Sequence, residues 1–523
     1  MSTSTGQGGH RLTIKKSIDQ IRREADSHGM KRTLGRWNLV FLGIGCIIGA
    51  GIYVMTGNAA ANFAGPGVML SFVIAGIACV FAGLCYAELA STMPVAGSAY
   101  TYSYATMGEV FAWIMGWLLV LEYGVAAATV AVGWSGYVVS FLRDFGIDIP
   151  SSLASSFIQS SADESGRLAF RATTDFNLVG AIGILLVTAL LVIGVSESAS
   201  VNNVIVFIKV GVLVAFIIMG IAYVEPANWT PFVPENEGGF KYGMSGVFRA
   251  ASVIFFAYVG FEAVSTAAGE AKNPQKDMPF GILGSLLICT VIYMLVAAVL
   301  TGIVPFRELG GPEPIAVAVD RMGIGWFSFA IKVGAVAGLS SVMLILTYGQ
   351  TRVFFAMARD GLLPRAFSRL HDKFRTPWIG TILLGSMIAI AASMLPITIL
   401  GDLVSLGTAV AFAIVCISVL WLRKSRPDLP RPFRAPGGVW TPILGIVFAG
   451  VMVYPLIADI IIKSMTGDPI PAVILLSYLA IGAALYAFYG YPNSRLAQGL
   501  DVLDDPKLPG ALQAAAHGLD EKK

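Results

Sequence analysis

Three ionisable side chains lie deep inside apolar runs: Glu122 in Trp117-Leu-Leu-Val-Leu-Glu-Tyr-Gly124, Lys209 in Phe207-Ile-Lys-Val-Gly211, and Glu262 at the end of Phe255-Phe-Ala-Tyr-Val-Gly-Phe-Glu262. A charge at the centre of a bilayer costs at least ~2.5 kcal/mol, so each such group faces a cavity or a partner and marks a path for protons, ions or a polar solute. None of the three stands beside a nucleophile, a base or a metal-ligand spacing, so the chain does not read as an enzyme. Plainer roles stand beside the functional ones. Glu122 could be a structural hydrogen-bonding glutamate, Lys209 a lysine snorkelling from about 12 Å along its helix, and Glu262, placed in the outer half of its span, a solvated vestibule residue. Arg249 and Lys332, nearer span ends, read as snorkelling side chains.

The surrounding composition excludes a water-soluble fold. The 523 residues are 56% hydrophobic and 13% charged, more apolar than a wetted surface tolerates. A net charge of +3 is too small to indicate nucleic acid as a partner. The cysteines Cys46, Cys79, Cys85, Cys289 and Cys416 all fall in apolar spans without paired spacing, and read as small packing residues. The histidines His10, His28, His371 and His517 fall in tails or a loop. No metal site and no cofactor is expected.

Apolar runs are read as about twelve transmembrane helices: 38–62, 67–91, 109–141, 177–194, 201–222 and 244–270, then 279–303, 325–358, 377–394, 401–422, 440–463 and 470–489. Residues 1–37 form a polar tail without a cleavable leader, in which Leu12, Ile14, Ile18 and Ile21 have helical spacing beside Lys15, Lys16, Arg22 and Arg23, as in a short helix on an anionic leaflet or a solvated one. The chain then divides into helices 1–5 (38–222), an outer loop (223–243), helices 6–10 (244–422), helices 11–12 (440–489) and a second tail (490–523). Placing both tails in the cytoplasm puts about 25 Lys and Arg inside against about 7 outside, which sets the orientation and indicates a multi-pass protein of the plasma membrane.

The first and sixth spans carry glycine or polar groups at their middles, in Gly43-Ile-Gly-Cys-Ile-Ile-Gly-Ala-Gly51 and in the run ending at Glu262. Interrupted helices five apart are the pattern of an inverted repeat, five helices plus five, whose broken helices meet at a midplane site. Glycine packing of the GxxxG kind is the alternative. An unwound stretch exposes peptide groups that need partners, and a zwitterionic amino acid supplies them. Its carboxylate suits the Ala50 and Gly51 amides at a half-helix N-terminus, where the dipole amounts to roughly +0.5 charge. Its ammonium suits the carbonyls of Ile47, Phe256, Ala257 and Val259.

With these residues the chain resembles the amino acid, polyamine and organocation superfamily, and within it the cationic-amino-acid-transporter branch with its bacterial members. The resemblance spans nearly the whole chain. It rests on Gly45-Cys-Ile-Ile-Gly-Ala-Gly-Ile-Tyr53, Tyr86-Ala-Glu-Leu89 with Pro94-Val-Ala-Gly-Ser-Ala-Tyr100, Glu270-Ala-Lys-Asn-Pro-Gln-Lys-Asp-Met-Pro279, Tyr348-Gly-Gln-Thr-Arg-Val-Phe-Phe-Ala-Met-Ala-Arg-Asp-Gly-Leu-Leu-Pro364 and Arg431-Pro-Phe-Arg-Ala-Pro436.

The resemblance implies an all-helical LeuT-type fold of five plus five helices with two extra, discontinuous at helices 1 and 6. It implies sodium-independent permeation of L-amino acids, proton-coupled or by exchange, with Glu122 lining the site. Lys209 matches the lysine that, in this branch, occupies the ion position of sodium-coupled relatives between helices 1 and 8, with Ser340 and Ser341 as the nearest hydroxyls. A fixed ammonium there supplies a cation's charge without sodium and can exchange a proton. Ala50 departs from the hydroxyl residue of many relatives, and Glu262 from the usual Asp, which bears on external proton sensing. Phe256, Leu346 and Glu122 are the candidates to face the cargo's side chain. The expected partners are an amino acid, protons and lipid. A channel is the weaker alternative, since a pore filter is usually built by oligomer symmetry and this chain carries an internal repeat instead.

Overall fold

The computed structural model describes residues 14–17, 34–93, 98–162, 168–194, 199–267 and 271–500. Most of the N-terminal segment with Leu12, Ile18 and Ile21, the stretch 94–97, Glu270 and the tail from 501 onward lie outside the described residues.

Among the described residues, nine helical runs are long and apolar enough to cross a membrane, and three shorter apolar helices accompany them, Arg36–Ile47, Leu178–Ile193 and Trp378–Met394. The 42-residue run Gly51–Thr92 is divided by a tight Gly65–Gly67 turn. Helices dominate because backbone N–H and C=O groups find no partner in hydrocarbon and must pair within their own segment. Exposed Ile, Leu and Phe side chains such as Phe207, Ile218, Leu287 and Leu476 follow from the same solvent: they face lipid.

The Val68–Thr92 and Arg36–Ile47 helices both pack on Pro274–Ile303, and Gly325–Arg359 packs on Ala126–Arg143. Leu178–Ile193 packs on Trp378–Met394, and Ile397–Ser425 on Trp440–Met465. Small residues set these approaches, as small faces do where apolar lipid gives no hydrophobic drive. Gly83 sits under Leu286 and Ile282, and Gly445 under the Cys416 sulfur. All five cysteines are buried and unbridged.

The Ser-rich stretch after the Ala126–Arg143 helix contains an antiparallel hairpin, Ile158–Ala162 with Leu168–Ala172, in register Ile158↔Ala172. It is tied to the loop after the Trp440–Met465 helix, where the Phe170 N–H donates to Asp468 Oδ2 at 2.9 Å.

Arg249 and Lys332 do not snorkel. The Arg249 guanidinium is buried, bidentate on Asp402 at 3.0 and 2.7 Å, donates to Asp459 at 2.9 Å, and lies 4.7 Å over the Phe63 ring. Lys332 is buried between Asp144 at 2.8 Å and Asp320 at 3.0 Å. Distance to the span end suggested escape to water, but carboxylates on other elements meet the charge first. Removing one partner from such a buried pair costs about 3–5 kcal/mol, so Arg249 clamps the Gly243–Ile254 helix to the two helices carrying Asp402 and Asp459.

Candidate functional site

Glycine costs a helix about 1 kcal/mol relative to alanine, and the run Gly43 to Gly51 is where the first helix stops. Arg36–Ile47 ends at Ile48, which is extended at φ −72°, ψ 100°, and winding resumes in the π-helical turn Gly51–Met55. Three of the run's four glycines meet three different neighbours: Gly43 faces Ser285, Gly49 faces Val342, and Gly51 faces Ala257. A single packing face therefore does not explain the run.

The sixth span breaks in the matching place. Gly243–Ile254 passes into a 3-10 turn Phe255–Tyr258, Val259 is extended at φ −56°, ψ 131°, and one helical turn follows at Ala263–Thr266. Gly260 takes φ 120°, a region L side chains rarely enter. The two breaks abut. A Cβ on Gly51 would stand 2.2 Å from the Ala257 Cα, and one on Gly260 would stand 2.7 Å from the Cys46 carbonyl carbon.

The peptide groups at these breaks are held from three sides. The Tyr293 hydroxyl lies 2.8 Å from the Ile47 carbonyl oxygen and 3.1 Å from that of Ala257, so one hydrogen serves both breaks. Each carbonyl carries two lone pairs and keeps acceptor capacity. The Phe256 carbonyl accepts from the Val259 N–H at 3.0 Å within the turn. Of the carbonyls expected to meet an ammonium, Ile47, Phe256 and Ala257 thus already accept one protein hydrogen bond each.

Lys209 is the third support. Its ammonium donates to the Gly45 carbonyl at 2.8 Å and the Ile48 carbonyl at 3.3 Å, and its stem lies against Gly338 of the Gly325–Arg359 helix. It is buried, so the snorkelling alternative does not hold. Gly338 supplies the room that a side chain would remove, since a Cβ there would stand 2.9 Å from the Lys209 Cγ.

Ser341 is buried one turn from Gly338, to whose carbonyl its hydroxyl donates at 3.2 Å. Ser340 turns away: it accepts from the Trp134 indole N–H at 2.9 Å and donates to Val336 at 2.8 Å. Neighbours on a helix point about 100° apart, so the two serines meet different partners.

Glu122 lies in a second π-helical segment, Val120–Val125. Such insertions bend the hydrogen-bond ladder and recur at functional sites. Its carboxylate is fully buried, and neither oxygen has a hydrogen-bond partner among the described residues. Glu262 stands close to it and to Tyr123. Glu262 Oε2 accepts from the Gly260 N–H at 2.8 Å, while Oε1 is unpartnered among the described residues.

Glu262 is not in an outer vestibule. It is buried, and the chain beyond it runs to Ala271, which bridges Leu34 just before the first helix. The sixth span runs opposite to the first, so its late residues stand level with the first helix's early ones, on the side of the N-terminal segment.

Leu346 and Phe256 are buried, and sequence reasoning overlooked their polar neighbours. Gln350, one turn beyond Leu346 and against Gly124, is fully buried with both amide atoms unpartnered among the described residues, as is the Thr347 hydroxyl. The signal was available in the i, i+4 spacing of Leu346 and Gln350, which puts both on one helix face. The described residues contain no group of three or more His, Cys, Asp or Glu placed to hold a metal ion.

Comparison with known proteins adds an independent line. A family model described as amino acid permease matches residues 34–485. The branched-chain amino acid permease BcaP of Bacillus subtilis is 44% identical over 92% of this chain and 98% of that protein. The methylthioribose transporter of the same organism is 41% identical over 93% and 99%. The vacuolar cationic amino acid transporter 4 of Arabidopsis thaliana is 36% identical over 80% of this chain and 68% of its own length.

Proposed function

The chain belongs to the amino acid permease family, a family of transporters and not of enzymes, and from that premise we propose that it is a secondary active transporter of L-amino acids in the plasma membrane, working by alternating access. In this reading the chain has twelve spans with both tails cytoplasmic, and helices 1–5 and 6–10 form a LeuT-type inverted repeat. One repeat's bundle rocks against the rest around a midplane site.

The observation that carries the reading is the abutment of Gly51 on Ala257, which sets two helix breaks side by side at the depth of Glu122 and Lys209. The cargo's carboxylate lies on the Ala50 and Gly51 amides. Its ammonium takes the remaining lone pairs of Ile47, Phe256 and Ala257, with the Val259 carbonyl beside them, and its side chain extends toward Phe256, Leu346 and Glu122. Main-chain groups recognise what all α-amino acids share, so selectivity is left to the surrounding side chains. The branched-chain and cationic cargoes in the relatives' names are consistent with one shared clasp and different side-chain pockets.

Lys209, bonded to the Gly45 and Ile48 carbonyls, supplies a fixed positive charge between helices 1 and 8. Transport therefore needs no sodium, and protons are the coupling ion, exchanged at Lys209 and at the neighbouring carboxyls of Glu122 and Glu262.

The test is uptake of radiolabelled amino acids into proteoliposomes. Uptake is expected to saturate, to survive replacement of sodium by choline, and to rise when the outside is acidified. Strict sodium dependence would overturn the coupling scheme, and unsaturable flux would point to a channel. Acceleration by preloaded amino acid without any response to a proton gradient would mark an exchanger.

A further inference from the structure

Two residues at the ends of different helices hold both terminal segments. Glu109 opens the Glu109–Leu119 helix and Asp360 closes the Gly325–Arg359 helix, and both are buried. The first N–H groups of a helix and its last carbonyls have no partner within it and must take one from elsewhere. Here the partners come from the two ends of the chain. The Glu109 N–H donates to the Ile14 carbonyl at 3.1 Å, and the Asp360 carbonyl accepts from the Arg495 N–H at 3.1 Å.

The side chains are taken the other way round. The Asp360 carboxylate accepts from the Lys16 ammonium at 3.0 Å and from the Tyr100 hydroxyl at 2.7 Å. The Glu109 carboxylate accepts from the Ser494 hydroxyl, and from the Tyr104 and Tyr486 hydroxyls at 3.2 Å each. Each residue thus gives its main chain to one terminal segment and its carboxylate to the other.

The C-terminal segment is shaped for this contact. Ser494 is buried, and its oxygen also accepts from the Ala497 N–H at 3.2 Å, as a serine does when it caps a turn. That bond orients the hydroxyl and leaves its one hydrogen for Glu109. Asn493 passes so close to the turn after Asp360 that a Cβ on Gly361 would stand 2.3 Å from the Asn493 carbonyl oxygen, and Gly361 takes φ 84°. Only glycine suits both demands.

A residue that holds two segments couples them, and the coupling is reciprocal. Without the C-terminal segment, Glu109 loses a hydroxyl that fixes its side chain and Asp360 the N–H that fixes its main chain. Both then hold the N-terminal segment less firmly. That segment leads into the Arg36–Ile47 helix, the part of the first span before its break, so its hold restrains this half-helix.

We propose that residues 14–17 and 493–500 form an interlocked latch under the cytoplasmic ends of the third and eighth spans, each segment kept in place by the other. Releasing either one frees the Arg36–Ile47 helix to move and favours the inward-facing state. The sidedness and the consequence of release rest on the transporter reading; the interlock itself does not.

Hydrogen exchange of the full-length protein in lipid nanodiscs, read by mass spectrometry over overlapping peptides, tests the interlock. Ser494→Ala removes the hydroxyl given to Glu109, Arg495→Pro removes the N–H given to Asp360, and Lys16→Met keeps the stem but removes the ammonium. Ser494→Ala and Arg495→Pro are each expected to speed exchange at the Glu109 amide, whose acceptor lies on the opposite segment. The change should be on the order of tenfold, as for one lost hydrogen bond to a charged group. Lys16→Met should do the same at the Arg495 amide. Combining Lys16→Met with Ser494→Ala should add little to either alone, since changes within one linked unit are not additive.

Exchange that rises only in the segment carrying the change, or everywhere in the protein at once, would overturn the proposal. In proteoliposomes, Ser494→Ala and Lys16→Met should both raise the external half-saturating concentration several-fold, because a less populated outward-facing state lowers apparent affinity in proportion. An unchanged value beside faster exchange would overturn the latch as a restraint on the first span. Exchange is read without transport, so its outcome is separate from a failure of uptake in the unmodified protein.

Discussion

Lys209→Ala is expected to abolish amino acid uptake while leaving expression and membrane insertion intact. The ammonium makes two charge-assisted bonds, to the Gly45 and Ile48 carbonyls at the first helix break. Hydrogen bonds to charged groups contribute about 1.5–3 kcal/mol each, so losing the pair reduces the population of the competent arrangement well beyond tenfold at ~1.4 kcal/mol per decade. The loss falls on the break, because both carbonyls that the ammonium meets, Gly45 and Ile48, belong to it. Initial uptake rates in proteoliposomes, normalised to inserted protein, check this. Unchanged uptake would reduce Lys209 to a packing residue with an incidental charge.

Gly51→Ala is expected to reduce uptake at least as much, for a steric reason. The added methyl would sit 2.2 Å from the Ala257 Cα and 2.4 Å from its Cβ. Backbone cannot turn aside as a flexible side chain can, so the two breaks must separate. Overpacking of this kind costs typically ~1–3 kcal/mol and displaces backbone, at the place where a shift changes which peptide groups a ligand reaches. Gly211→Ala is the matched control: it changes the same residue type two positions from Lys209, but nothing lies within 4 Å of the new methyl. Uptake assays on the pair should show loss for Gly51→Ala and near-normal rates for Gly211→Ala. Equal activity in both would mean that the contact at Gly51 does not shape the site.

What was legible in the sequence was what local chemistry dictates. Glycines at Gly43, Gly45, Gly49 and Gly51 announce a helix that cannot continue, and the structure interrupts winding at Ile48. Lys209 in an apolar run announces a partnered charge, and the partners are main-chain carbonyls. Less legible was anything that depends on residues far along the chain.

Arg249 looked free to snorkel because Asp402 and Asp459, more than 150 positions away, give no local sign of approaching it. Ser340 and Ser341 look equivalent as neighbours, and only the position of Trp134 shows which way one of them turns. Glu262 was placed on the wrong side because depth was counted without reversing direction for the sixth span. Gln350 and Thr347 escaped notice because one glutamine or threonine in a span gives no local sign of lacking a partner, which only packing reveals.

Competition by end-modified analogues tests most directly the proposed clasp of peptide groups around the two charged ends of an amino acid. Uptake of the carried amino acid would be measured against the same compound unlabelled, its methyl ester, its N-acetyl derivative, its decarboxylated amine, and methylthioribose, the cargo named for a relative 41% identical to this chain. The clasp predicts that only the intact zwitterion competes, because each analogue removes the charge that one broken helix end would meet. Competition by the ester, the amine or the neutral sugar as strong as that of the amino acid itself would contradict it.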